Sequence, residues 1–224
     1  SPSADGRWLG ISTLMRMGVH RNSKAISVRK RSLFHDSGYM TALLDAPSDH
    51  HGKAGLGGFR IAKEHASDIG KVIANLRTRG NMPVWLIGTS RGAISASNAA
   101  SRLTAESAPD GLILTSPVTS GREGGYKAWV TQTVFSVDLE NIRMPVLVVA
   151  HADDKCVRTP PDRAGEIIDE TAADREQTVT VTGGPGWSGG TSVKACRGKA
   201  PHGFIGQRAD VVDGLLRFIA GGDY

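Results

Sequence analysis

The sequence is short of cysteine, short of aromatic residues and without a long apolar run, and each shortage excludes something. Two cysteines, Cys156 and Cys196, stand in 224 residues, so neither a disulfide-dense scaffold nor a four-thiolate metal site can be built. Aromatics make up 5%, too few for the stacking platforms that hold single-stranded nucleic acid. The best apolar run, Pro145 to Ala150, is far below the ~20 residues that cross a bilayer. No secretory signal segment is visible. There is no P-loop, no His-Glu-x-x-His and no paired Cys-x-x-Cys. Gly55-Leu-Gly57-Gly58 lacks the third spaced glycine of a dinucleotide loop. No metal and no cofactor is expected.

What is present is ordinary globular composition, 39% apolar and 22% charged. A chain of this length buries roughly 70% of the surface its unfolded form exposes, enough for one sizeable core. Disorder is excluded by the apolar content. The net charge is +5 and the isoelectric point about 9.4. The excess sits in residues 1–34, where Arg7, Arg16, Arg21, Lys24, Arg29, Lys30 and Arg31 face one acid, Asp5. Such a segment reads as a solvated helix face, with contact to a polyanion as the other reading. No nucleic-acid motif accompanies it, and none is expected as a partner.

Periodicity divides the chain into alternating elements. A helix is expected over residues 22–37, stopped by Gly38, then a buried strand from Met40 to Leu44. A second, amphipathic helix runs from Phe59 to Arg79, with Ile61, Ile69, Ile73 and Leu76 at helical spacing. Pro83 to Ile87 reads as a strand, residues 92–103 as an Ala-rich helix, Leu112 to Leu114 and Pro145 to Ala150 as strands. A helix over about 161–172, a strand from Gln177 to Val181, a Gly-rich loop over 183–200 and a helix over about 207–219 complete the pattern. Short apolar strands alternating with helices predict a single α/β domain over residues 1–224. Its sheet is expected to be mostly parallel and open, with helices on both faces.

Gly88-Thr89-Ser90-Arg91-Gly92 has the form G-x-S-x-G, between an apolar strand and a small-residue helix. That is the setting of a nucleophile elbow, where a strained turn projects the serine hydroxyl above the sheet. The Arg91 amide then lies at the helix N-terminus, aimed at a developing oxyanion. A serine nucleophile needs a base, and the base an orienting acid. Asp153 and Asp154 follow the strand ending at Ala150, and His202 follows the last strand's long loop. Both places lie beyond the carboxyl ends of strands, where open α/β sheets carry their sites. The other six histidines read as structural or surface groups.

These stretches resemble the α/β-hydrolase superfamily. More narrowly, they are similar to small, lidless, exported bacterial hydrolases of the dienelactone hydrolase group. The likeness covers most of residues 22–220. It rests on Leu44-Asp-Ala-Pro-Ser48, Val84 to Gly92, Val148 to Cys156 and His202-Gly-Phe204. The resemblance implies Ser90 as nucleophile, His202 as general base and Asp154 as acid, Asp154 rather than Asp153 because it opens an Asp-x-x-Val spacing. Cys156 then falls two residues after the acid and Cys196 six before the base. A bridge between them would pin the two loops together and place the protein in an oxidising compartment, periplasmic or secreted.

The chain departs from the pattern at its start. The resembling proteins carry an early strand whose following loop gives a second oxyanion donor. Here Ser1 to Trp8 is preceded by no apolar strand, and residues 9–19 fit one poorly. The expectation is a chain truncated upstream, lacking its first strands, or an incomplete oxyanion hole. The function expected is hydrolysis of an ester or related acyl bond on a small-molecule substrate. The alternative is a binding protein that keeps the fold without catalysis. Loops 48–58, 118–134 and 183–200 are expected to wall the pocket.

Overall fold

The computed structural model describes residues 8–16, 31–50, 55–80, 82–121 and 127–224. Its strands are β1 (Trp8–Arg16), β2 (Tyr39–Asp45), β3 (Val84–Thr89), β4 (Gly111–Thr115), β5 (Val146–His151) and β6 (Glu176–Val181). They form one sheet in the order β2-β1-β3-β4-β5-β6. Every neighbouring pair is parallel. The helices are α1 (Arg31–Asp36), α2 (Lys63–Arg77), α3 (Arg91–Arg102), the single turn α4 (Glu166–Asp169) and α5 (Arg208–Ile219).

The continuous apolar strands follow from burial on both faces. Val84, Leu86, Leu112, Leu114, Val146 and Val148 face one layer, packed against Ile69 and Ile73 of α2 and Ile94, Ala96 and Ala99 of α3. Their alternates Trp85, Ile87, Ile113, Leu147 and Val149 face the other, packed against Phe34 of α1 and Val211, Leu215 and Phe218 of α5. The two-residue period of a strand sorts one sequence into two cores.

Four expectations need correction or narrowing. The missing early strand is present: β1 is interior, paired with both β2 and β3. Gly10, Ser12 and Thr13 break its apolar pattern, and two neighbouring strands supply the hydrogen bonds that make it a strand. β2, expected to be buried, is an edge strand with Leu43 44% exposed. The helix expected over 161–172 is a 3-10 turn, Pro161–Arg163, and the short α4. Pro160 and Pro161 start it, and carbonyls past Gly165 are capped locally by Glu170 and Thr171 amides instead of a continuing helix. Of the helix expected over 22–37, Arg31–Asp36 is helical, and residues 22–30, with most of the basic segment, lie outside the described residues. Among the described residues no helix is long and apolar enough to cross a membrane.

Candidate active site

β3 runs directly into Ser90, whose backbone has φ 53 and ψ −121. A non-glycine residue held there is strained, and such strain gathers at functional turns. The surroundings fix it. The Ser90 amide donates to the Thr115 carbonyl at 3.0 Å, and the Ala93 amide donates to the Ser90 carbonyl at 3.0 Å. Gly88 shows why the turn needs a glycine before it. A Cβ at Gly88 would lie 2.7 Å from Ala93 Cα and 2.8 Å from the Gly92 carbonyl oxygen. Both are backbone atoms at the start of α3, so strand and helix cross too closely for a side chain. Arg91 is the first residue of α3, which puts its amide at the positive end of the helix.

Asp154 and His202 come from separate loops and meet. Asp154 follows β5, and its amide donates to the His151 carbonyl at 2.9 Å. One carboxylate oxygen, Oδ1, accepts from the Cys156 amide at 2.8 Å. The other, Oδ2, accepts from the Thr159 hydroxyl at 2.7 Å and lies 2.9 Å from His202 Nδ1. A carboxylate oxygen accepts, so Nδ1 carries the ring proton and Nε2 keeps its lone pair. Asp154 is 4% exposed and His202 0%. Asp153 is exposed; its amide donates to His151 Nδ1 at 3.0 Å.

His202 sits in a 3-10 turn, Pro201–Gly203, closed by Phe204 in the left-handed region at φ 51. The Ser116 hydroxyl donates to the His202 carbonyl at 3.0 Å, tying the turn to the end of β4. A Cβ on Gly203 would fall 2.5 Å from Gly198 Cα, so the two loop segments touch backbone to backbone. With the ring held from the Nδ1 side, His202 Nε2 is buried and makes no hydrogen bond among the described residues.

Cys156 and Cys196 form a disulfide, with Cα atoms 4.5 Å apart and a separation of 40 in sequence. Around it the two loops pair as strands would. Cys156 bridges Ser192, and the Ser192 amide donates to the Lys155 carbonyl at 2.9 Å. Donor atoms of Asp154, Cys156 and His202 lie within 4.8 Å of one another. They do not make a metal centre as they stand, because the sulfur is bonded to Cys196 and Oδ2 already faces Nδ1.

Two features of this region are not legible in the sequence motifs. Thr159 contributes its hydroxyl to Asp154, and Arg60, Arg91 and Arg158 gather around one small pocket. The loop that leaves β1, where a second oxyanion donor is expected, lies outside the described residues. His151 is structural. Its Nε2 lies 2.8 Å from Gln207 Oε1 and 3.1 Å from the Gly183 carbonyl, which ties β5 to the start of α5.

No family model matches the chain, and no curated protein matches it in sequence. Solved structures do match. One of LipS and LipT, two metagenome-derived lipolytic enzymes, superposes with a TM-score of 0.55 at 14% identity, over 96% of this chain and 94% of its own. Est1E from Butyrivibrio proteoclasticus, with ferulic acid bound, gives 0.55 at 17% identity over 79% of each chain. A monoacylglycerol lipase of Paleococcus ferrophilus gives 0.51 at 15% identity, over 80% of this chain and 85% of its own. At such identities the likeness is one of architecture. Parallel strands covered on both faces, a strained serine turn after the third strand and these superpositions give this chain the α/β-hydrolase fold.

Proposed function

We propose that the protein is a serine hydrolase that cleaves a carboxylic ester or a related acyl bond of a small molecule. Ser90 is the nucleophile, His202 the general base, Asp154 the acid that orients it, and the Arg91 amide an oxyanion donor. The observation that carries this reading is the buried His202–Asp154 pair, with Nε2 left unpartnered among the described residues. A buried imidazole nitrogen without a partner is costly to keep, and in this reading the hydroxyl of Ser90 is the group it serves.

The steps follow from ordinary acyl-transfer chemistry. Ser90 Oγ attacks the carbonyl carbon while its proton passes to His202 Nε2. The imidazolium is held by Asp154, and the oxyanion faces the helix N-terminus at Arg91. The intermediate collapses, and the leaving alcohol takes the proton from Nε2. Water then attacks the acyl-serine, gives its proton to Nε2, and the acid departs as Ser90 regains its hydrogen. No cofactor enters.

The finer resemblance, to lidless exported hydrolases of the dienelactone hydrolase group, agrees with the disulfide. A bridge between these loops survives in an oxidising compartment, so we place the protein in the periplasm or outside the cell. Non-reducing peptide mapping of freshly isolated protein is expected to recover the Cys156–Cys196 peptide pair; free thiols would remove this placement.

Labelling with a fluorophosphonate probe and peptide mass spectrometry tests the enzyme. The probe is expected on Ser90 in the native protein and nowhere after heat denaturation. S90A is expected to lose both the label and hydrolysis of 4-nitrophenyl esters. A folded wild type that takes no label and turns over no ester would make this a binding protein on a hydrolase scaffold.

A further inference from the structure

We propose that the two loops joined by the Cys156–Cys196 disulfide form a docking surface for an anionic phospholipid bilayer. Val157 and Val193 are its apolar tips, and Lys155, Lys194, Arg197 and Lys199 are its charges. This surface is argued from exposure and charge and does not rest on the hydrolase reading.

Three large hydrophobic side chains stand exposed among the described residues, and two of them belong to these loops, Val193 at 71% and Val157 at 41%. Backbone pairing brings them side by side. Cys156 bridges Ser192 in parallel, and the Val157 amide donates to the Ser192 carbonyl at 3.4 Å. Ser192 thus lies against the stretch from Lys155 to Val157, and Val193 is the next residue along. The alternation of extended chain turns Cys156 inward, so Lys155 and Val157 on either side of it face out. On the facing loop Cys196, Gly198 and Ala200 are buried, while Lys194, Arg197 and Lys199 are exposed.

The charge here is of one sign. Residues 183–200 contain Lys194, Arg197 and Lys199 and no aspartate or glutamate, and the disulfide holds Lys155 beside them. None of the four cations makes an ion pair among the described residues. Asp153 is the one exposed acid beside them on the first loop, so the cations outnumber it four to one.

A lone exposed apolar residue is ordinary on a protein surface. Two valines together, flanked by four cations without internal counter-charges, have the composition of a surface that seats in a headgroup layer. The apolar tips leave water among the acyl chains' upper ends, and the cations meet lipid phosphates. A soluble polyanion would use the cations and leave the valines in water. Docking would also turn one end of the sheet toward the lipid, because Asp154 precedes Lys155 and His202 follows Lys199 by three residues.

Cosedimentation with vesicles tests the surface, equimolar phosphatidylglycerol and phosphatidylcholine against phosphatidylcholine alone. Each cation near an anionic bilayer strengthens binding by roughly fivefold. Wild type is expected to partition about tenfold or more in favour of the anionic vesicles, with the advantage falling as salt rises. The variant K194Q/R197Q/K199Q is expected to lose that advantage. V193S is expected to bind anionic vesicles several-fold more weakly and V193W more tightly, since so exposed a side chain has little packing to lose. R29Q/K30Q/R31Q, which neutralises part of the other basic segment, is expected to bind as wild type does. Urea midpoints and turnover of a soluble 4-nitrophenyl ester are expected to stay at wild-type values in all four, which separates docking from folding and from catalysis. The salt series and the Val193 pair read the surface even where the triple loop variant folds poorly.

Equal partition onto the two vesicle types, or none onto either, would overturn the proposal. Binding that disappears in R29Q/K30Q/R31Q and persists in the loop variant would overturn it too, by moving the contact to the N-terminal segment. Retention on heparin that is the same for wild type and V193S, without vesicle binding, would replace the bilayer by a soluble polyanion.

Discussion

Thr159 places its hydroxyl on the same Asp154 oxygen that faces His202, at 2.7 Å, while His202 Nδ1 lies 2.9 Å from that oxygen. Both side chains are buried, Thr159 at 3% and Asp154 at 4% exposure. The hydroxyl therefore sets how strongly the carboxylate holds the imidazole. A hydrogen bond to a charged group contributes about 1.5–3 kcal/mol. Thr159 is a positioning residue in this reading. T159V is expected to lower kcat on a 4-nitrophenyl ester roughly 10- to 100-fold with KM little changed, and T159S to restore most of it. A valine variant that loses only thermal stability, with kcat unchanged, would reduce Thr159 to packing.

The crossing of β3 and α3 makes a second prediction. In G88A the new methyl would meet three backbone atoms of Gly92 and Ala93 at 2.7 to 2.9 Å. Backbone cannot rotate away as a side chain can, so strand and helix must part and Ser90 must move with them. Overpacking of this kind costs about 1–3 kcal/mol of stability, while a shift of about 1 Å at a reacting group costs roughly 100-fold in rate. Activity is thus expected to fall much further than the urea midpoint. Wild-type kcat/KM in G88A would show that Ser90 is not where the chemistry happens.

The serine turn, the two loops and the cysteine pair are legible in the sequence because each is a local signal at a strand end. Ser90 has glycines on both sides, and His202 and the cysteines stand on loops that parallel topology brings to one edge. Other features arise only from tertiary contact. β1 reads poorly because Gly10, Ser12 and Thr13 interrupt it, and its pairing with β2 and β3 compensates. Residues 161–172 carry helical spacing, yet two prolines and Gly165 leave one turn of α-helix. Arg60, Arg91 and Arg158 are spread over 98 residues of chain, and no spacing rule joins them.

The disulfide closes a loop of 40 residues between the acid and the base. In the chain-entropy account such a closure stabilises by about 4 kcal/mol at most. The double variant C156S/C196S is expected to lose a few kcal/mol in urea unfolding, with ester turnover reduced as well, because the two loops then hold Asp154 and His202 by hydrogen bonds alone. Dithiothreitol on wild type is expected to mimic both effects and leave the double variant unchanged. A reduced protein with the stability and rate of the oxidised one would make the bridge incidental.

His65 gives the molecule an acid-sensitive spot away from the serine turn. It is 2% exposed, and neither ring nitrogen has a hydrogen-bond partner among the described residues. Burial, then the nearby Arg60 charge, pushes its pKa down to about 4, with Asp68 opposing and His50 adding to the fall. In the unfolded chain the same imidazole titrates near 6.5. Between those two values the unfolded chain binds a proton that the folded protein refuses. Stability from this group is therefore complete above about pH 6.5 and drains away as the pH falls toward 4. The loss at pH 4.5 comes to about 2–3 kcal/mol. H65F keeps an aromatic ring against Phe59, which lies 5.2 Å away between centroids, and has nothing to titrate. Urea unfolding at pH 7.5 and 4.5 is expected to show a smaller acid loss in H65F than in wild type by about that amount. Equal losses in the two proteins would mean that His65 finds a proton acceptor in the folded state.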